Sequence, residues 1–307
     1  MADRLTKGMS SNGELRFLTA DIANTAEEGK KIHKLSPVKS VIFAKFLAAG
    51  LLFGYDLKED NYLVTLKVEG SNPKNYLIVT ANNKGKVKGY PHMTFEDKIN
   101  TTDFSDPVSM NKKIREEMKK VLQHGLLNVV RDVGMKAPYN GSTKLITGEI
   151  ARDITYYLSV SEQIPSIVGV SVILNHDSSI KNAVGFIVQL MPEATEETIN
   201  HLESNMQKLP EIIDLLEMGM TIEEIMRKMI LKGIEHKTTK ELRTEYYCDC
   251  SRERFEKGLM LLNKDELAEI IGEGETVPVK CHYCNKTYEY DAEKLEKILK
   301  AHGKKDK

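Results

Sequence analysis

Cys248-Asp249-Cys250 and Cys281-His282-Tyr283-Cys284, with 30 residues between them, decide how this chain is organised. They hold all four cysteines of its 307 residues. A secreted fold stapled by disulfides would spread its cysteines along the chain, whereas these are confined to one end. A CxC and a CxxC pair brought together offer four thiolates to one ion, and soft thiolates in a tetrahedral set favour zinc. Cys248, Cys250, Cys281 and Cys284 are therefore expected to bind one Zn2+ per chain, with His282 left as an exposed turn residue. The spacing alone leaves three other uses open. One is a purely structural zinc ribbon. A dithiol oxidoreductase of the thioredoxin type would want one CxxC opening a helix after a strand. A catalytic zinc needs an open coordination position, which four thiolates close, and the chain has no HExxH.

The surroundings of the cysteines predict a small module of short elements. Ser251 can cap a helix carrying Phe255, Leu259 and Leu262. Asn263, with Glu266 three residues on, can cap a second with Leu267, Ile270 and Ile271. Val277 and Val279 alternate into Cys281, Tyr288 and Tyr290 continue beyond it, and Asp291 can cap a closing helix with Leu295, Ile298 and Leu299. Arg252 and Arg254 flank Cys250, where they either favour its thiolate or serve as solvated charges. A module of about 60 residues is marginal without a staple. A structural zinc contributes roughly 10–16 kcal/mol to such a fold. Disulfides closing loops of three or four residues return only about 1.5–2 kcal/mol each. Replacing the metal by local disulfides should therefore unfold the module.

Working back from the cysteines, His236–Tyr247 is polar and reads as a connector. Thr195–Ile234 reads as helical throughout, and Thr221-Ile222-Glu223-Glu224 fits a capping box. Its apolar residues are dense, and five of the 13 methionines fall between Met206 and Met229. Flexible, polarisable methionine suits surfaces that repack around varied partners. Ile212, Ile213, Leu215, Leu216, Met226 and Met229 are the candidate client-binding residues. The plainer use of such a stripe is to cover a neighbouring sheet, and both hold if the helices can detach. Upstream of Pro192 the pattern is mixed. Asp21–Gly54 is helical. Leu63–Val68, Tyr76–Val79, Lys86–Tyr90, Leu126–Val133, Ser166–Leu174 and Ala183–Leu190 read as strands, Met110–Gln123 and Glu149–Val160 as helices, and Pro138–Gly141 as a turn. The fold class expected is α+β: a large mixed sheet and helix domain over 1–193, a helical linker over 194–247, and a small zinc-binding domain over 248–307.

Charge and hydropathy narrow the partners. The 44 Lys+Arg nearly cancel 45 Asp+Glu, a net charge of −1. Glu245–Lys307 has 12 basic and 14 acidic residues, net −2, so the cysteine region is not a basic nucleic-acid footprint. The start, MADRLTKGMSSNGELRF, lacks the apolar run of a secretory signal. Val41–Tyr55 is apolar but interrupted by Lys45 and shorter than the roughly 20 residues of a membrane span, so it reads as a buried helix. A cytoplasmic location with reduced thiols is the expectation, with neither nucleic acid nor membrane as partner.

The block from Cys248 to Leu299 closely resembles the C-terminal end of the 33 kDa chaperonin family, the redox-regulated heat-shock chaperones. HKLSP (His33–Pro37), LIVTANNKGKVKGY (Leu77–Tyr90), PYNGSTKL (Pro138–Leu145), YYLSVSEQIP (Tyr156–Pro165) and GFIVQLMPEATEE (Gly185–Glu197) are similar to family signatures and stand in family order. Thr94–Lys120 matches less well. The resemblance implies a reduced, zinc-bound form with little chaperone activity. Oxidants with unfolding stress would form the disulfides Cys248–Cys250 and Cys281–Cys284 and expel zinc. The redox-sensing zinc domain, 248–307, and the metastable linker, 194–247, would then unfold, and a homodimer would hold unfolding client proteins without ATP, with 1–193 serving client binding and dimerisation. Gly272-Glu273-Gly274 is not a Walker loop. Ser161-Glu162-Gln163, in a corner ending at Pro165, suits capping or packing. The expectation is a binding protein, not an enzyme, with a zinc-ribbon nucleic-acid adaptor and a disulfide oxidoreductase as the rivals.

Overall fold

Helix α2 (Pro37–Tyr55) is apolar nearly all the way round, Lys39 and Lys45 being its only charged residues, and a helix with so little polar surface has to be covered on almost every side. In the computed structural model, which describes residues 3–96 and 107–302, 16 of its 19 residues are buried. By length and composition it would pass for a membrane span, yet 89% of its apolar window is inside the protein. The covering comes from two sheets in the first of two compact units, Met1–Tyr247. One sheet is antiparallel throughout. It comprises β1 (Arg4–Ser10), β2 (Leu15–Asp21), β8 (Ser166–Leu174), β9 (Ile180–Leu190) and β10 (His236–Arg243), in the order β10-β1-β2-β9-β8. The other contains β3 (Leu63–Glu69), β4 (Tyr76–Ala81), β5 (Lys86–His92), β6 (Leu126–Asp132), β7 (Tyr139–Lys144) and β11 (Glu245–Tyr246), in the order β11-β5-β4-β3-β6-β7. Only its β11–β5 pairing is parallel.

The main core forms where α2 meets these sheets. Phe43, Phe46, Leu47, Leu51 and Leu52 pack with Val64, Leu66, Val79 and Ile187. Each such side chain contributes about 1.5–3 kcal/mol. A Cβ at Gly50 would stand 2.4 Å from Val79, so the missing side chain lets the helix seat on β4. Helices α1 (Ala23–His33), α3 (Pro107–Leu122) and α4 (Ile150–Val160) complete this layer. Glu162 pairs with Arg131 and Gln163 takes a left-handed φ of 56°, which gives the Ser161–Gln163 corner a packing role.

The opposite face of the first sheet carries a second core. Here lie α5 (Glu196–Gln207), α6 (Ile212–Glu217), α7 (Ile222–Ile225) and a π-helical turn, Met226–Ile230. Leu202, Ile213, Leu215, Leu216, Ile222, Ile225 and Met226 pack on Leu15, Phe17, Ile173, Phe186 and Val188. Thr221 starts α7 with the expected capping box. Its Oγ1 accepts from the Glu224 N–H at 3.2 Å, and the Thr221 N–H donates to Glu224 Oε2 at 3.1 Å.

Arg4–Asp21, for which no element is expected, forms two paired strands, and two other segments differ from their sequence reading. The expected turn at Pro138–Gly141 lies mostly within β7. The connector His236–Tyr247 is not helical; it forms β10, which pairs with β1 from Arg4↔Arg243 to Ser10↔His236, and then β11. Residues 194–247 thus lie within the first unit as helices followed by strands. An edge strand with both faces in solvent has no apolar alternation to display, and HKTTKELR is nearly all exposed.

The second unit, Cys248–Lys307, contains α8 (Arg252–Leu259), α9 (Lys264–Gly272), the hairpin β12 (Val277–Lys280) and β13 (Thr287–Tyr290), and α10 (Ala292–His302). Ser251 caps α8, and Asp291 accepts from the Lys294 N–H at 2.9 Å to start α10. The Glu266 side chain of the expected α9 cap lies outside the described residues.

Replacing Thr221 by Ala removes one half of the capping box. It should destabilise the first unit by about 1 kcal/mol in denaturant titration, and Thr221→Ser should restore most of that. An unchanged midpoint in the alanine variant would show that the cap does not hold α7.

Candidate metal centre

Three short segments of the second unit aim sulfur at one point. The hairpin β12–β13 supplies two. Between its strands the Cys281 N–H donates to the Lys286 carbonyl at 2.9 Å and the Asn285 N–H to the Cys281 carbonyl at 2.8 Å. This tight knuckle turns both Cys281 and Cys284 inward. Asn285 takes a φ of 60°, a left-handed conformation that asparagine tolerates better than most residues. The third segment, Cys248–Cys250, is extended and runs into the cap of α8.

Two tyrosines of β13 fasten that segment to the hairpin. Tyr288 Oη donates to the Cys250 carbonyl at 3.0 Å and lies 3.3 Å from Cys250 Sγ. Tyr290, fully buried, donates to the Arg252 carbonyl at 3.0 Å. Tyr288 and Tyr290 also form the small core with Leu267, Leu295 and Ile298, against which Cys250 packs. The same two side chains therefore build the module's interior and hold the CxC loop in register with the CxxC turn.

The four Sγ atoms all lie within 4.8 Å of one another. Cys248 and Cys281 approach to 3.7 Å, and Cys250 and Cys284 to 3.4 Å. These are far longer than the roughly 2.05 Å of a disulfide, and all four cysteines are free thiols. Cys281 is buried and the other three are partly so. The set is compatible with a bound metal ion held by Cys248, Cys250, Cys281 and Cys284. His282 is exposed and outside the cluster.

Electrostatics of the bare sulfurs are uneven. Burial pushes the Cys248 thiol well up, and its neighbours Cys250 and Cys281 add to that. Burial also raises Cys284. At Cys250 burial acts in the same upward direction, but hydrogen bonds from Tyr288 and the neighbouring thiols outweigh it and bring the thiol below its ordinary value. The hydrogen bond to Cys250 raises Tyr288 in turn. A divalent cation at the centre would draw all the sulfurs toward thiolate. The flanking arginines have other partners. Arg254 pairs with Asp249, and Arg252 donates to the Glu289 carbonyl at 2.7 Å and lies over the Tyr290 ring.

Tyr288 and Asn285 are the residues that motif spacing does not single out. Tyr288 shows in sequence only as a strand residue, and its hydroxyl matters because the fold returns Cys250 to it.

The candidate client-binding residues sit elsewhere, in the first unit. Ile213, Leu215, Leu216 and Met226 are buried in the second core, and Ile212 and Met229 pack against it partly exposed.

Tyr288→Phe keeps the ring and removes the hydroxyl. Metal affinity, read by chelator competition, should fall about tenfold with stoichiometry unchanged, as for other outer-shell hydrogen bonds. Equal affinity would mean that the hydroxyl only supports the backbone.

Known proteins are similar to this chain in architecture and in sequence. The family model described as "Hsp33 protein" matches residues 3–291. The 33 kDa chaperonin of Clostridioides difficile (strain 630) is 37% identical over 303 residues, covering 98% of this chain and 99% of its own. That of Agathobacter rectalis is 34% identical over 299 residues, covering 97% and 100%. The crystal structure of the 33 kDa chaperonin (Heat shock protein 33 homolog) from Thermotoga maritima superposes with a TM-score of 0.84 at 29% identity over the whole of both chains. With one family model matched across nearly its entire length, this chain belongs to the Hsp33 family.

Proposed function

We propose that this protein is a cytoplasmic, ATP-independent holdase chaperone, quiet while Cys248, Cys250, Cys281 and Cys284 bind one Zn2+ and active once they are oxidised. The observation that carries this is four sulfurs within 4.8 Å of one another in a unit whose described core has five buried residues. A tetrahedral zinc with Zn–S bonds of about 2.3 Å separates its sulfurs by about 3.8 Å. The 3.7 and 3.4 Å approaches fit that ion. When bound, zinc would supply a crosslink worth roughly 10–16 kcal/mol to the unit's fold.

Oxidation acts on the chain's own sulfurs. One thiolate of a pair attacks peroxide, becomes a sulfenic acid and releases hydroxide. Its partner thiolate then displaces a second hydroxide and forms the disulfide, so each pair gives up two electrons to one peroxide. The proposed pairs are Cys248–Cys250 and Cys281–Cys284. Pairing decides the outcome. Crossed bridges would tie the CxC segment to the hairpin as firmly as a metal does, whereas neighbouring bridges leave the two segments unconnected. Five buried side chains cannot then offset the backbone entropy of about 60 residues.

The helices α5–α7 are the proposed client-binding element. Docked, they bury Ile213, Leu215, Leu216 and Met226 against the first sheet. Released, those side chains, with Ile212 and Met229, offer an adaptable apolar surface to unfolding proteins. In the same reading the oxidised protein pairs as a homodimer through the domain 1–193, and neither nucleic acid nor membrane is a partner.

Peroxide with mild heating should release one zinc per chain, consume four thiols and suppress light scattering from a denaturing client. Disulfide mapping by mass spectrometry should return the two neighbouring pairs. Equal client protection before and after oxidation would overturn the switch, and crossed pairs would overturn its mechanism. Because Thr221→Ala loosens α7 by about 1 kcal/mol, it should raise the population of released helices roughly fivefold and lower the activation temperature. An alanine variant that activates at the wild-type temperature would separate α7 from the switch.

A further inference from the structure

The first sheet ends in two edges of opposite character. At one end β10 is guarded: HKTTKELR carries charge along both faces, and such edges do not accept further strands. At the other end, β8 is not. Its first six residues, Ser166-Ile167-Val168-Gly169-Val170-Ser171, have neither charge nor proline, and all are partly exposed. An apolar edge left open in this way is a standing template for another strand.

A cleft of about 690 Å³ runs along that edge. Val168 and Val170 line it on the side packed toward α2, and Phe186 of β9 lines it on the other. A Cβ at Gly169 would stand 2.2 Å from the Phe186 ring, so this position keeps the ring's space clear. Leu209, Ile212 and Ile213 form a facing wall. Alternating residues of a strand laid on β8 would thus find apolar surface above and below the sheet.

Charge in the cleft is unbalanced. Arg115 is paired with Glu211 at 3.5 Å, and Arg152 shares Glu149 with Lys119, at 3.3 and 2.8 Å. Lys45, the residue that interrupts the apolar run of α2, also lines the cleft. Among the described residues no hydrogen bond or ion pair reaches its ammonium. Burial pushes it down to about 8, Arg115 adds to this, and Glu149 opposes it. A half-buried ammonium without a partner is a ready mate for an incoming carboxylate.

We propose that the free edge of β8 binds an extended peptide segment by strand addition, with an acidic side chain of the segment placed on Lys45 between apolar neighbours. The occupant is a stretch of unfolded client with alternating apolar residues around one Glu or Asp. This deepens the holdase reading and rests on it for the identity of the occupant. It adds a backbone-directed site beside the apolar helices. Release of α6 would remove one wall and open the edge further.

The test uses the full-length oxidised protein and a fluorescein-labelled heptapeptide, Thr-Val-Thr-Glu-Val-Thr-Val, followed by fluorescence anisotropy. Saturable binding is expected. Methylating alternate backbone nitrogens should weaken it at least tenfold, because strand addition needs those N–H groups, and so should Lys in place of Glu. Lys45→Met removes an unpartnered, half-buried charge and should fold at least as stably, and it should erase the preference for Glu over Lys. Equal binding of the methylated peptide overturns strand addition, and a preference that survives Lys45→Met overturns the role of Lys45. Oxidised protein that protects clients but does not bind the peptide sinks this site alone. Failure of client protection itself sinks the holdase reading.

Discussion

Four sulfur atoms drawn within 4.8 Å are the constraint around which residues 248–302 are built. Everything local serves that convergence. The knuckle between β12 and β13 aims two of them, Tyr288 and Tyr290 tether the loop that presents the others, and α9 and α10 supply Leu267, Leu295 and Ile298 to cover the tyrosines. Little else is buried there. A chain this short loses backbone entropy on the order of 1–2 kcal/mol per residue on folding, and five interior side chains cannot offset that. If a metal ion holds those sulfurs, chemistry at them and folding of the unit would be one equilibrium, and whatever changed the first would change the second.

How much of this could be read from the residues depended on whether an element declares itself by pattern. The sulfur set was legible because metal ligation demands residue types at fixed spacing. The buried helix was legible because Val41–Tyr55 has almost no polar atom to place in water, and the Thr221 cap because its two hydrogen bonds need particular side chains three apart. The N-terminal hairpin was not. In RLTKGMS the alternation of Leu5 and Met9 is broken by Lys7 and Gly8. Gly8 is required because a Cβ there would stand 2.1 Å from the Phe17 ring on the neighbouring strand, a contact that exists only once the strands have paired. The strand β10 was hidden for the opposite reason: a doubly exposed edge is held by its backbone, and its side chains say only that they are soluble. Tyr288 fell between, visible as a strand residue but not as the partner of Cys250.

The first sheet is covered unequally. Helix α2 on one face is almost wholly apolar and cannot leave without exposing the interior of both sheets. On the other face α5, α6 and α7 are short, with exposed charged residues along them, and end in a π-helical turn, a helical form uncommon outside functional sites. Methionine and isoleucine at this second interface pack well enough to be buried and loosely enough to repack elsewhere. On the proposed reading the stripe that covers the sheet and the stripe that would meet a client are the same side chains.

Between those helices and the cysteines the chain is held at two places, along β10 and at Tyr246. Strand β10 pairs with β1 along seven residues, and two residues before Cys248 the ring of Tyr246 is buried in the main core. Its hydroxyl donates to the Gly89 carbonyl at 3.0 Å, accepts from the Gly89 N–H at 3.2 Å, and lies 3.0 Å from His33 Nε2. A buried hydroxyl with every bond satisfied is costly to withdraw. Loss of structure after Cys248 therefore meets a clamp at Tyr246 and does not run back into α5–α7 unaided. Freeing the helices needs energy of its own, which heat or another unfolding stress can supply. On the proposed reading an oxidant alone would unfold the sensor, and only an oxidant acting with a denaturing stress would open the surface that meets other proteins.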